Sequence, residues 1–383
     1  MDSYWGGAMA AVGGALVFGA VPRILRRQRV KDSLLLAVGM AILANTRPFE
    51  GLLAIVPAGL WLVARMLGKW GPPVKTSVVR IMAPVAGLMI PVGLAMGYYN
   101  YRVTGDPLLV PYQLHEAQYA VSTAFLWQGV RPEPIYRHRA LRDFWVGFAL
   151  EERERHLTPE GFVVETVFKI VTLWYFFVGP LLTVPVLMGL SRMLKRPHTR
   201  ILMAGVGALL ASFVLLAGVG PHYAAPVTAV AILCAVEGLR RLRTWNRHGW
   251  ITGRNAVRMI LAVCAAICLI ELAWSIEPYP STGYQRDFKR NRQEVIERLE
   301  KTPGRDLVVV RYGPDHSSHD EWVYNRADID AAGIVWAREM DPVRNCELLS
   351  YFRDRRKWLL EPDGYRPRLS SYPSRCESNS ERR

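Results

Sequence analysis

The sequence predicts a polytopic α-helical membrane protein of about eight spans with a small C-terminal α/β extracytoplasmic domain. Three observations lead there. First, residues 5–22, 51–68, 80–98, 163–190, 200–219, 224–238 and 257–275 are apolar runs, most of them nearly free of charge. A hydrocarbon core about 30 Å thick takes roughly 20 helical residues to cross, and backbone in lipid must satisfy its own hydrogen bonds as helix. Second, Arg and Lys crowd into a few connectors between these runs. Third, the composition turns polar from residue 277 on, and strand and helix patterns alternate there.

The connectors set the expected orientation. Arg23, Arg26, Arg27, Arg29 and Lys31 follow the first run. Arg65, Lys69, Lys75 and Arg80 form the next basic loop, Arg192, Lys195, Arg196 and Arg200 the third, and Arg240 to Arg258 the fourth. Lys and Arg favour the cytoplasmic side. The expected protein therefore sits in its membrane with the N-terminus and C-terminal domain outside. Residues 46–50, a long loop at 99–162 and the turn 220–223 share that outer side.

The first run carries Gly6, Ala10 and Gly14 on one stripe, which suits close helix packing. Residues 33–45 make a short eighth span or half of a re-entrant hairpin with 51–68. Pro180 and Pro185 are expected to kink the 163–190 span. Residues 1–276 thus form the membrane domain and 277–363 the small α/β domain, with 364–383 expected to be disordered. In the α/β domain, helices are expected at 286–300 and 344–354, and strands at 307–312, 333–337 and 357–361. Cys234, Cys264 and Cys268 read as core fillers. Cys346 and Cys376 are able to pair if the tail is outside.

A net charge of +15 in a soluble chain would suggest nucleic acid. Here the cations flank apolar helices, so the expected partners are membrane lipids, and no nucleic acid is expected. No phosphate-binding glycine loop, dinucleotide fingerprint or zinc-protease helix is present. No cofactor and no metal are expected. The cluster Asp315-His316-Ser317-Ser318-His319-Asp320-Glu321 reads as a solvated loop rather than a ligand set.

Three outer segments carry chemistry. In Asn45-Thr46-Arg47-Pro48-Phe49-Glu50-Gly51, Arg47 suits a lipid phosphate, and Glu50 suits Arg47 or a sugar hydroxyl. The long loop opens with Tyr98-Tyr99-Asn100-Tyr101-Arg102 and continues through Tyr112, His115 and Glu116. Aromatic rings with amide and carboxylate neighbours suit a sugar, and His115 and Glu116 are weak candidates for proton transfer. The turn Gly220-Pro221-His222-Tyr223 adds His222 and Tyr223.

The order of these pieces, Thr-Arg-Pro-Phe-Glu-Gly-Leu, then Val-Thr-Gly-Asp-Pro with Pro-Tyr, then Pro-His-Tyr, resembles bacterial GT-C class membrane glycosyltransferases. Their relatives include the dolichyl-phosphate-mannose mannosyltransferases and the aminoarabinose transferases. The resemblance covers roughly residues 1–275. It implies transfer of a sugar from a polyprenyl-phosphate carrier to an acceptor at the outer face. It would make Arg47 the carrier-phosphate ligand and Glu50 its neighbour, with Arg102, His115 and His222 as second contacts. The family's catalytic carboxylates lie in the first outer loop, and only Asp2 precedes the first run here. The expectation is therefore a form lacking the N-terminal catalytic-loop portion, inactive alone or needing a partner that supplies that part. Two other readings stay open: a lipid-linked oligosaccharide ligase using Arg102, His115, His138 and His156, and a non-enzymatic scaffold or transport protein.

Overall fold

The computed structural model describes the chain except for residues 1–5, 68–72, 137–138, 246–251, 277–282, 315, 317–320, 327, 365 and 374–383. The chain divides into two compact units, Met1–Tyr136 with Leu141–Ala266, and Arg137–Ala140 with Ile267–Arg383.

The first unit is helical. Among the described residues, four helices are long and apolar enough to cross a membrane: Gly7–Arg27, Val74–Thr104, Pro221–Arg243 and Gly253–Ala273. Two shorter apolar helices, Pro48–Ala64 and Thr199–Val214, add to them, and the bent pair Pro159–Phe177 with Gly179–Lys195 has the make-up of a broken span or a re-entrant loop. The last of the four long helices has none of its apolar stretch buried within the chain. Water does not tolerate an apolar cylinder of that length, and lipid does. The apolar helices mark a membrane-embedded protein.

We label Gly7–Arg27 α1, Val30–Thr46 α2, Pro48–Leu67 α3 and Val74–Thr104 α4. At 17 residues, α2 is longer than the 33–45 run suggested, since Val30, Lys31 and Asp32 belong to its first turn. It folds back on α1, and Ser33 Oγ donates to the Arg80 carbonyl in α4 at 2.8 Å. The expected close packing on α1 is present at Ala10, fully buried, and at Gly14. A Cβ on Gly14 would lie 1.8 Å from the Pro226 carbonyl oxygen.

The 163–190 span differs from expectation. Its two helices, α5 (Pro159–Phe177) and α6 (Gly179–Lys195), meet at 90°. Gly179 takes φ +62°, which a side chain would resist. Pro180 then occupies the start of α6, where its missing N–H costs nothing, so it begins a helix instead of kinking one. Trp174 Nε1 donates to Thr183 Oγ1 at 2.9 Å across the break. The unit continues with α7 (Pro197–Val214), a 3₁₀ turn (Pro221–Val227), α8 (Thr228–Arg243) and the start of α9 (Gly253–Ile276). Of the three membrane cysteines, Cys234 is buried against Met193, Cys264 is half-buried and Cys268 is exposed, so the core-filler expectation is corrected for Cys268.

The second unit is a small α/β sheet. We label its strands β1 (Asp306–Val310), β2 (Ile334–Arg338), β3 (Arg356–Glu361) and β4 (Arg368–Ser371), in the order β2-β1-β3-β4. β1 is parallel to both neighbours and every residue in it is buried, as its Leu-Val-Val-Val run demands. Helix α10 (Gly283–Glu300) packs Val295 and Leu299 on one face, with Trp322 and Trp336. Helix α11 (Pro342–Tyr351) packs Leu349 on the other, with Leu307, Val309 and Phe352. The expected strands and helices are all present, at shifted ends. β4 is a correction, because disorder was expected from residue 364. Leu369 is its one buried residue, and the strand exists by antiparallel pairing with β3. At the start of β1, buried Asp306 accepts from both Arg356 Nε and Nη2 at 2.7 Å and from Trp358 Nε1 at 2.8 Å. Cys346 on α11 is disulfide-bonded. Cys376 lies outside the described residues, as does most of 364–383.

Candidate functional site

The site is built around a one-residue joint. Arg47 stands between the end of α2 and Pro48, the first residue of α3. A residue before proline avoids helical geometry, so the chain turns there (φ −145°, ψ 72°). The turn stays hydrogen-bonded: Arg47 N–H donates to the Leu43 carbonyl, and Gly51 N–H to that of Arg47, each at 2.8 Å. Glu50 falls in the first turn of α3, where the helix dipole favours a negative charge. Arg47 Nη1 lies 3.6 Å from Glu50 Oε1, and both side chains are largely buried.

The 3₁₀ turn completes the cluster. Its Pro226 is wedged against Gly14, and His222 Cβ approaches Gly7. This fixes Tyr223, whose ring lies under the Arg47 guanidinium at 4.4 Å, a cation–π distance. His222 sits 4.6 Å from the Tyr223 ring and close enough to Arg47 for their charges to interact. Tyr112 comes from the loop helix Pro111–Tyr119 and feels the Glu50 charge. Partial burial, then Glu116, then Glu50 hold its phenol above the usual range, so at neutral pH it stays a donor.

Sequence reasoning named Arg47, Glu50, Tyr112, His222 and Tyr223; the structure brings Arg47, Glu50, His222 and Tyr223 together and places Tyr112 within reach of the Glu50 charge. It does not bring in Arg102, which bonds the Tyr98 hydroxyl at 2.9 Å on its own helix. His115 packs instead near Tyr119 and Trp145. Glu116 stands beside Tyr112 on the same helix. His156 is buried and bonds the Glu152 carbonyl, while His138 lies outside the described residues. Of the Asp315–Glu321 segment, His316 pairs with Asp363 at 2.6 Å and Glu321 with Tyr312 and Arg338; Asp315 and residues 317–320 lie outside the described residues. Among the described residues no group of three metal-ligating side chains is placed to hold an ion.

Sequence reasoning missed the supports. Phe125 meets Phe49 edge to face at 5.3 Å and stacks on Trp127. A bridge to Leu216 ties Phe125 to the end of α7. Two buried cations hold that tie. Arg153 donates to the Leu126 and Gln128 carbonyls, and Lys169 to those of Phe213 (3.3 Å) and Leu216 (2.6 Å). Lys169 inside an apolar run was the one signal available. Replacing Lys169 with Met should leave both carbonyls without that donor and lower stability by about 1–3 kcal/mol. Thermal unfolding of the purified protein in detergent checks it; an unchanged midpoint would assign Lys169 no such role.

On the far side of the 3₁₀ turn lies an apolar cavity of about 350 Å³ between α5, α6, α7 and α8. Ala224 and Val227 line it, with Leu173, Trp174 and Phe213, and Lys169 is its one charged wall. A single turn therefore separates the polar cluster from this space.

Comparison with known proteins adds no relative. No protein-family model matches the chain, no curated protein matches it, and no solved structure matches it.

Proposed function

We propose that this protein binds a polyprenyl-phosphate-linked sugar at the outer membrane face and takes part in moving that sugar to an acceptor, as a glycosyltransferase of the GT-C kind. The observation that carries the proposal is the joint at Arg47: a guanidinium held against Glu50 and the Tyr223 ring, where two apolar helices meet. An Arg at a membrane boundary is costly unless used, and its planar fork suits a phosphate. The apolar cavity behind Ala224 supports the same reading, since the carrier's chain needs an apolar path.

In this scheme the acceptor hydroxyl attacks the sugar carbon, the bond to phosphate breaks, and the carrier leaves as polyprenyl phosphate. Negative charge grows on the phosphate as that bond breaks, and Arg47 is placed to stabilise it. Tyr112 and His222 offer hydrogen bonds to hydroxyls or phosphate. Glu116 is the better proton acceptor of the two candidates, because His115 is turned toward Tyr119 and Trp145.

The topology belongs to the proposal. Eight crossings require that α2 and the shorter apolar helices α3 and α7 also cross and that α5 and α6 count as one, with the basic connectors inside and the C-terminal unit outside the inner membrane. The disulfide at Cys346 supports an oxidising side for that unit. Among the described residues the ligase reading has no comparable cluster, since Arg102, His115 and His156 contact separate neighbours.

The test is binding in lipid nanodiscs. Radiolabelled polyprenyl-phosphate sugar should bind saturably, and polyprenyl phosphate should compete while polyprenol should not. Equal competition by polyprenol would remove phosphate recognition and the proposal with it.

A further inference from the structure

The turn between α1 and α2 forms an open pocket of about 430 Å³ far richer in cations than in carboxylates. Arg23, Arg26, Arg27, Arg29 and Lys31 line it, against the single carboxylate of Asp32. Among the described residues, none of the five cations makes a side-chain hydrogen bond or ion pair. The connection is only Gln28 and Arg29, with Gln28 at φ +46°, so the two helix ends are held close and the charges converge. The start of α2 has no side-chain cap, and its dipole adds to the positive field. The pocket lies where an apolar helix long enough to cross a membrane ends.

The geometry points to a binding site for an anionic phospholipid whose headgroup carries two negative charges. Five cations spread over a topology loop would need no pocket. Here four guanidiniums line one space, and each is able to hold a phosphate by two parallel bonds. Basic pockets between membrane helices select multiply charged headgroups in this way. The site is independent of the carrier-sugar reading, since it belongs to the opposite end of α1 from Arg47.

The test uses the full chain, purified in detergent and titrated with lipid while its melting temperature is followed. A diphosphate lipid such as cardiolipin should stabilise it saturably, more than phosphatidylglycerol, and phosphatidylcholine should do nothing. The double variant Arg26→Lys with Arg29→Lys keeps the charge that orients the protein but loses the bidentate fork, and should weaken cardiolipin about tenfold. Arg26→Gln with Arg29→Gln should weaken it on the order of thirtyfold. Arg254→Gln with Arg258→Gln, in another basic connector, should leave the titration unchanged. Equal stabilisation by all three lipids would overturn the site, as would equal loss in the Arg254/Arg258 variant. Pyrophosphate that stabilises the lipid-free protein as well as cardiolipin does would overturn the lipid assignment and leave a soluble anion.

Discussion

Arg47→Ala should weaken binding of a polyprenyl-phosphate sugar by at least about a hundredfold, because removing the cation from a charge pair with the bound phosphate costs roughly 2–5 kcal/mol. The same change strips Glu50 of its counter-charge, so lost binding alone would not separate function from folding. Two further variants do. Glu50→Gln removes the need for a counter-charge; placing Arg47→Ala in that background should restore the melting temperature but not the binding. Arg47→Lys keeps the charge and loses the planar fork and much of the stacking on Tyr223. It should bind in between. Binding retained by Arg47→Ala would take Arg47 out of the site.

Gly14→Ala should destabilise the protein by about 1–3 kcal/mol, the range for forcing extra volume into a packed contact. The added carbon would meet the Pro226 carbonyl oxygen at 1.8 Å, and a backbone atom has no rotamer with which to step aside. Gly19, on the same helix, has nothing within 4 Å of its notional Cβ. There the same substitution should be neutral or mildly stabilising, since alanine favours helix over glycine by roughly 0.5–1 kcal/mol. The pair isolates the contact from helix propensity. Because Pro226 anchors the turn that carries His222 and Tyr223, Gly14→Ala should also weaken carrier binding without touching the carrier. Equal melting temperatures for the two variants would show that α1 and the 3₁₀ turn are not locked together.

What was legible in the sequence follows from what each element depends on. Apolar runs declare helices whatever their neighbours are, so α1, α3, α4 and α7 to α9 were readable directly. β1 was readable because it is buried on both faces and must be apolar throughout. β4 was not, because Arg-Leu-Ser-Ser offers one apolar residue and takes its order from β3. The α5–α6 break turned on Gly179, while the two nearby prolines drew the attention. At the site, Arg47 and Glu50 were visible as charges at a helix boundary. Their convergence with His222 and Tyr223 depends on how distant segments pack. Arg153 was hardest, since a cation that caps carbonyls far along the chain leaves no local pattern, and Lys169 showed only as a charge inside an apolar run.

The right-angle joint at Gly179 has a mechanical corollary. Where one arm runs along the membrane normal, the other must run in the membrane plane. A thicker or thinner bilayer then pulls on the two arms along different directions, and neither can relieve mismatch by the simple tilt open to a straight span. The Trp174–Thr183 bond is the crosspiece that would register such a strain, and Trp174 is also a wall of the apolar cavity.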